Sequence, residues 1–304
     1  DGALVDGPVY GSIFRSLRGL QLLHADQYAE FQSDFVVYHD DAGDYSTNEP
    51  TMDGTASLIY LLAEKEAESP HRKKNAFTVD HGAITRGDRS GKEISLVFTG
   101  DEFADGGEFI ASSLLKEKIK ASFFLTGNFY RNKAFKPLIK KLKNEGHYLG
   151  SHSDKHLLYA DWTKRDSLLV THEEFRKDLA ASYRELNKFG IDKAPYFLPP
   201  YEWYNDSIAA WSREMGLTLV NYSPGTRSNA DYTWPEMGKA YISSGTILQS
   251  INDYEIQKTL NGFILLVHIG TDPRRKDKFY LKLPELIETL KAKGYQFKRI
   301  DELL

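Results

Sequence analysis

The stretch that most constrains this chain is Ser151-His152-Ser153-Asp154-Lys155-His156. Two imidazoles four residues apart project to one side of a turn, at a separation that lets both reach a single divalent cation. A pair alone does not complete a catalytic site. Zinc and its neighbours want a third protein ligand, usually a carboxylate, and an open position for water. Any fold that uses the pair must therefore bring further polar groups to it from distant parts of the sequence.

The chain has 304 residues, enough for one large α/β domain, alone or with a smaller piece. Its formal charge of -4 argues against nucleic acid or an anionic membrane as a partner, since no Lys/Arg excess exists to neutralise phosphates. Cysteine is absent, which excludes a disulfide framework and thiolate ligands. No apolar run reaches the roughly 18 residues of a membrane span. No signal peptide is visible, and because the chain begins at Asp1, any targeting signal is expected further upstream.

Residues 1–70 read as a mostly helical and irregular segment, with helical spacing over Ile13 to Tyr28, a carboxylate-rich loop from Tyr38 to Glu49, and a helix over Thr51 to Glu68. Residues 71–92 read as a linker, His71 to Asn75, leading to a first strand. Beyond them strands and helices alternate as in a parallel sheet with right-handed crossovers. Strands are predicted at Ile94–Phe98, Ala121–Leu125, Tyr148–Gly150, Tyr196–Leu198, Leu217–Tyr222, Ile247–Ser250 and Phe263–His268. Helices are predicted at Glu108–Ile119, Lys133–Asn144, Ser167–Phe189, Asp206–Met215, Tyr254–Leu260 and Leu283–Ala292. About seven such units suit a distorted (β/α)7 barrel over residues 93–304 better than an open sheet.

Reactive residues of a parallel barrel sit at the carboxyl ends of its strands, and three polar clusters fall there. They are Thr99-Gly100-Asp101-Glu102-Phe103-Ala104-Asp105, the histidine pair, and His268. A carboxylate, two imidazoles and a separate imidazole are the parts of a metal-assisted hydrolase.

Residues 93–304 resemble the polysaccharide deacetylase family, carbohydrate esterase family 4. The resemblance rests on Gly146-His147-x2-Gly150-x-His152-x3-His156, then Phe197-Leu198-Pro199-Pro200-Tyr201, then Leu266-Val267-His268, in the family's order and spacing. It implies that His152, His156 and Asp101 hold a divalent metal, zinc first and otherwise cobalt, nickel or manganese. It further implies that His268 is the acid for the leaving group and that Tyr201 supports the oxyanion. The family's Asp-Asp after the strand is Thr99-Gly100 here, so Asp101 and Glu102 are expected to share the roles of ligand and base. The family's Arg before Pro-Pro-Tyr is Leu198, which removes a charge that would keep the base ionised. The expected function is hydrolytic removal of N- or O-linked acetyl groups from an acetylated glycan, outside the cytoplasm. The alternatives are a catalytically impaired glycan-binding relic of the fold and a β-glycosidase fragment.

The last alternative comes from a second resemblance. Tyr38-x-Asp40-x4-Tyr45-x3-Glu49-x-Thr51-x3-Thr55-Ala56 is similar to the closing signature of glycoside hydrolase family 9, with Glu49 at the acid position. That likeness implies the tail of a glycosidase domain lying further upstream. Other residues read more plainly. Asp105 is expected to cap the helix after it, His147 to begin a strand, His172 to be solvated, and Glu202 to lie at the surface. Trp203, Tyr204 and Trp234 fall in loops, where stacking on a sugar and packing under the loop are both open.

Overall fold

The computed structural model describes residues 5–49, 57–62 and 77–304, and its contacts separate two compact units, Asp1–Lys74 and Asn75–Leu304. In the first unit the helix expected over Ile13 to Tyr28 is confined to Gly11–Phe14, with a 3-10 turn at Ala29–Phe31. Gly19 takes a left-handed φ of 79°, and the backbone N–H groups of Leu23 and His24 donate to the Asp41 carboxylate at 2.9 and 2.7 Å. Those donors are thus spent on a side chain, leaving no helix ladder to propagate. Asp44 is likewise a structural acceptor, bonded to Ser46, Thr47 and the Nδ1 of His39. Residues 57–62 are helical; the rest of the expected Thr51–Glu68 helix, the His71–Asn75 linker, and Thr51, Thr55 and Ala56 of the glycosidase-like signature lie outside the described residues.

The second unit is a curled, distorted (β/α) barrel. Its strands are β1 (Thr78–Asp80), β2 (Ala83–Arg86), β3 (Glu93–Gly100), β4 (Ser122–Leu125), β5 (Tyr148–Ser151), β6 (Tyr196–Phe197), β7 (Thr218–Leu219), β8 (Phe263–His268) and β9 (Gln296–Phe297). Their order is β1-β2-β8-β3-β4-β5-β6-β7, with β9 on β3. All pairs from β8 through β7 are parallel, while β1–β2 and β2–β8 are antiparallel. A single bridge between Ile84 and Val220 ties β2 to the chain just past β7.

The central strands are near-continuous apolar runs because helices cover their outer face. In β3 Ile94, Leu96, Val97 and Phe98 are wholly buried, and in β8 so are Phe263, Ile264, Leu265 and Leu266. Each such side chain contributes about 1.5–3 kcal/mol through burial. Most helices fall where their apolar spacing predicts: α1 (Gly107–Lys116), α3 (Lys136–Asn144) after a short α2 (Gly127–Arg131), α4 (His172–Asn187), α5 (Asp206–Glu214) and α7 (Leu283–Ala292). A capping box between Thr171 and Glu174 starts α4.

One expected strand is overturned. Ile247–Ser250 lies inside helix α6 (Ser244–Lys258), which the Ser243 hydroxyl caps by accepting from Thr246 N–H. Its buried residues Ile247, Leu248 and Ile251 follow helical spacing, and four β-compatible residues in a row concealed it.

Register levels the carboxyl ends of the strands. Thr99 pairs with His268 across β3–β8, Gly100 with Leu125 across β3–β4, and Leu125 with Ser151 across β4–β5. The three polar clusters of the sequence therefore emerge at one end of the sheet.

Candidate active site

The turn after β5 is built to present its histidines. Ser153 and His156 both have left-handed φ, 71° and 56°, a conformation that costs a non-glycine residue about 1–2 kcal/mol and needs compensating bonds. Asp178 of α4 supplies them by accepting from the N–H groups of Asp154 and Lys155, both at 3.1 Å, and from the Tyr159 hydroxyl. Arg131 of α2 forks onto the Asp154 carboxylate, and the Ser153 hydroxyl accepts from His156 N–H at 2.9 Å.

His152 is buried, and its Nδ1–H donates to the carbonyl of Leu198 at 2.9 Å. That bond leaves Nε2 with a bare lone pair, 3.3 Å from His156 Nε2. Burial, reinforced by His156, holds the His152 imidazole well below its ordinary pKa, and burial lowers that of His156. Both are therefore neutral at physiological pH, the form in which imidazole binds metal.

His268 ends β8 and donates through Nδ1–H to Asp231 at 2.6 Å, while its backbone N–H donates to the other oxygen of that carboxylate at 2.9 Å. Burial disfavours the imidazolium, but the Asp231 charge and hydrogen bond outweigh it and raise the pKa. The acid form of His268 is thus favoured and its ring oriented, as a general acid requires. Asp231 is buried in the 3-10 turn Ser228–Tyr232. Nothing in the local sequence Asn229-Ala230-Asp231-Tyr232 marks it, because its partner lies 37 positions away.

The loop after β3 brings Asp101 and Glu102 to the cavity that the histidines line. Asp101 accepts from the Thr126 hydroxyl at 2.6 Å and the Asn128 amide at 3.3 Å, and Glu102 is exposed. Among the described residues no three His, Asp or Glu side chains gather closely enough to hold a cation, although Asp101 lines the same cavity as the imidazole pair and its charge acts on His156. At the last two positions of β3, Thr99 is buried with its hydroxyl lacking a partner among the described residues, and Gly100 is closed off by packing. A Cβ at Gly100 would lie 2.5 Å from Cγ2 of Ile269, so no carboxylate fits there unless the wall moves. Asp105 does not cap α1. It accepts from Thr271 N–H, the Tyr280 hydroxyl and Lys278, tying this loop to the one after β8.

Glu202, read from sequence as a surface residue, turns inward. Its side chain is 10% exposed, with an oxygen 3.9 Å from His152 Nε2. Burial pushes its pKa up to about 7, against the pull of His268 and with the push of Asp231. The left-handed backbone of Tyr201 and Glu202, φ 58° and 53°, aims it there, and nothing in the residue names announces that turn.

These groups line one cavity of about 590 Å³, into which Asp101, Glu102 and Tyr201 also reach. At its rim Trp162 stacks on Trp203 with ring centroids 5.5 Å apart and meets Tyr201 edge-on at 5.8 Å. Trp162 is 55% exposed, whereas Tyr204 is packed away beneath the loop. Trp234 lines the wall with Arg274 over its ring. His147 is buried ahead of β5, its Nδ1 accepting from Ala121 N–H, and His172 pairs with Glu214 at the surface.

The imidazole pair fits a cation. Two nitrogens bound at about 2.0–2.1 Å to one tetrahedral ion lie roughly 3.3 Å apart, the separation found between His152 and His156. Neutral ligands, a fixed tautomer and an adjoining protonated imidazole together can polarise a carbonyl and protonate a leaving group.

Residues 86–220 match the polysaccharide deacetylase family model. The peptidoglycan-N-acetylmuramic acid deacetylase PdaA of Bacillus subtilis is 25% identical over 237 residues, 77% of this chain and 79% of that protein. A peptidoglycan-N-acetylglucosamine deacetylase of Bacillus cereus is 26% identical over 191 residues, 63% of this chain and 78% of that protein. The structure of PdaA, a family 4 carbohydrate esterase, superposes with a TM-score of 0.56 and 24% identity, covering 81% of this chain and 88% of that one. A family 4 pseudoenzyme from Bacillus anthracis superposes with a TM-score of 0.58 and 21% identity, covering 74% of this chain and 69% of that one. Residues 86–220 of the barrel thus match a polysaccharide deacetylase model, and the relatives named above include hydrolases acting on acetyl groups. The glycoside hydrolase family 9 resemblance of residues 1–70 finds no support in these comparisons, and Glu49, its proposed acid, is exposed.

Proposed function

We propose that the polysaccharide deacetylase domain of this chain hydrolyses acetyl groups from an acetylated glycan, using a divalent cation held by His152 and His156. The observation that supports this reading is the convergence of the neutral His152–His156 pair and the Asp231-held His268 on one cavity. When bound, the cation would act as a Lewis acid toward the acetyl carbonyl and its water; zinc suits imidazole ligands, as do cobalt and nickel.

The chain's own residues do the rest. Trp162 and Tyr201 at the rim offer aromatic faces for a sugar ring. Tyr201, whose ring centroid lies 4.4 Å from that of His156, stands where it can support the developing oxyanion. His268, charged through Asp231, delivers a proton to the departing nitrogen or oxygen. The named relatives act on peptidoglycan; a substrate of that class supports a site of action outside the cytoplasm. No helix among the described residues is long and apolar enough to cross a membrane.

A second reading has a specific observation behind it. Thr99 and Gly100 close β3, and Asp101 just beyond them is held by Thr126 and Asn128, as expected of a domain that binds glycans but no longer cleaves them. Acetate release from acetylated chito-oligosaccharides, peptidoglycan fragments and acetylated xylan, with chelator and with added zinc or cobalt, separates the two. Release that depends on the cation is the expected result. Release that survives complete chelation removes the metal from the proposal, and glycan binding without release favours the second reading.

A further inference from the structure

We propose that the cavity between α2, α3 and α4 is a second glycan site, one that takes a saccharide bearing carboxylate groups. This binding goes beyond the release of acetyl groups, and only the choice of a glycan over another polyanion rests on the deacetylase reading.

The cavity has a volume of about 530 Å³, within the range of small-molecule sites, and shares no lining residue with the cavity of the histidines. Its charge is lopsided. Arg131, Lys136, Lys140, Lys143 and Lys188 line it against one carboxylate, Glu185, on a chain whose formal net charge is -4.

Three of the five cations are engaged within the fold. Arg131 grips Asp154, Lys188 pairs with both oxygens of Glu185 at 2.8 Å, and Lys143 donates to the Phe189 carbonyl at 2.5 Å. Lys136 and Lys140 are exposed and make no hydrogen bond or ion pair among the described residues.

Local folding gains nothing from these two lysines. Lys136 opens α3, where a cation opposes the positive end of the helix dipole. Lys140 lies four residues on, so two like charges face each other across one turn. The helix reads Lys-Pro-Leu-Ile-Lys-Lys-Leu-Lys-Asn and holds no acidic residue; of its lysines, among the described residues, Lys141 alone pairs with a carboxylate, Glu108 on α1. Cations kept where they oppose the helix, and answered by nothing inside the fold, suit an anion from outside.

The spacing favours a repeating anion over a single one. Lys136, Lys140 and Lys143 follow one face of α3 and span about 10 Å along its axis, with Arg131 and Lys188 contributed by the neighbouring segments. The floor is aromatic: Phe189 is half-buried, and its ring meets that of the buried Tyr130 with centroids 5.8 Å apart. Cationic walls over an aromatic floor fit a sugar ring that carries carboxylates at its edge.

The test uses the full chain, parent and double variant Lys136→Glu/Lys140→Gln, titrated by calorimetry with oligogalacturonides, with neutral xylo-oligosaccharides of the same length, and with a single-stranded oligonucleotide. The parent is expected to bind oligogalacturonides, more weakly as salt rises because both lysines are exposed. The variant should lose at least about tenfold in that affinity while its affinity for the neutral oligosaccharides stays within about twofold. It should melt no lower than the parent, because an acid at the first helical position favours the dipole and the like-charge pair is gone. Oligogalacturonide affinity that is the same in parent and variant overturns the proposal, as does a parent that binds them no better than the neutral oligosaccharides. Tighter binding of the oligonucleotide, lost in the same variant, makes the cavity a nucleic-acid site and overturns the glycan assignment. Binding is read without turnover, so a parent that releases no acetate defeats the deacetylase reading and leaves the second site standing.

Discussion

The turn after β5 and the loop after β3 leave the same end of one sheet at the same level, yet they hold their reactive groups very differently. In the turn, Asp178 and Arg131 bind the backbone and the Asp154 side chain from two helices, so His152 and His156 sit 3.3 Å apart, with the His152 tautomer set by the Leu198 carbonyl. In the loop, Asp101 is tied to Thr126 and Asn128 at the cavity wall, and Glu102 lies at the exposed side of the same cavity. Carboxylates standing next to a motif in sequence do not become part of its site unless something buried holds them there. A group from a third element, Glu202, occupies the inward position.

The difference predicts a ranking of damage. His152→Ala should be the most severe, removing zinc binding in calorimetry beyond the roughly 10- to 100-fold that loss of an outer partner costs, and acetate release with it. Retained affinity would show that the turn is not where the cation binds.

Asp231→Asn should come next, with a rate loss of about 100-fold or more and an altered pH profile. Asp231 raises the His268 pKa, so the acid form persists above the ordinary value. In the variant burial is left to lower it, and the alkaline fall in rate should move to lower pH. The stability conferred by this pair is complete below the unfolded pKa of about 6.5 and is lost as pH rises through the raised native value. Melting temperatures of parent and variant should therefore converge at high pH. An unchanged alkaline limb would mean that Asp231 does not set the proton on His268.

Asp101→Asn should do least to the site. It weakens the contacts to Thr126 and Asn128, worth about 1 kcal/mol, and should leave zinc affinity within a few-fold. A loss equal to that of His152→Ala would erase the contrast between the loops and restore Asp101 as a ligand.

Much of the barrel was legible because long apolar runs and amphipathic helices repeat at spacings the backbone imposes. The run Phe263–His268 and the helix Leu283–Ala292 match residue for residue. Where two periods compete, legibility ended: Ile247–Ser250 reads as strand or helix until Ser243 is seen capping it. In residues 13–28 the leucine spacing suggested a helix, but the Asp41 carboxylate took the N–H groups that would have built it. The histidine pair and His268 could be found because each sits in a local motif at a strand end. Asp231 and Glu202 could not, since one depends on a partner 37 positions away and the other on a left-handed turn that sets its direction.

By itself the sequence determined the barrel, the end of the sheet that carries the chemistry, and the imidazoles placed there, because strand period, helix period and motif spacing are local properties of the chain. Only the tertiary structure decided which carboxylates join them. A carboxylate's reach and charge depend on burial and on neighbours brought in from other strands: packing of Ile269 closes position 100, hydrogen bonds tie Asp101 to Thr126 and Asn128, and the fold turns Glu202 and Asp231 inward.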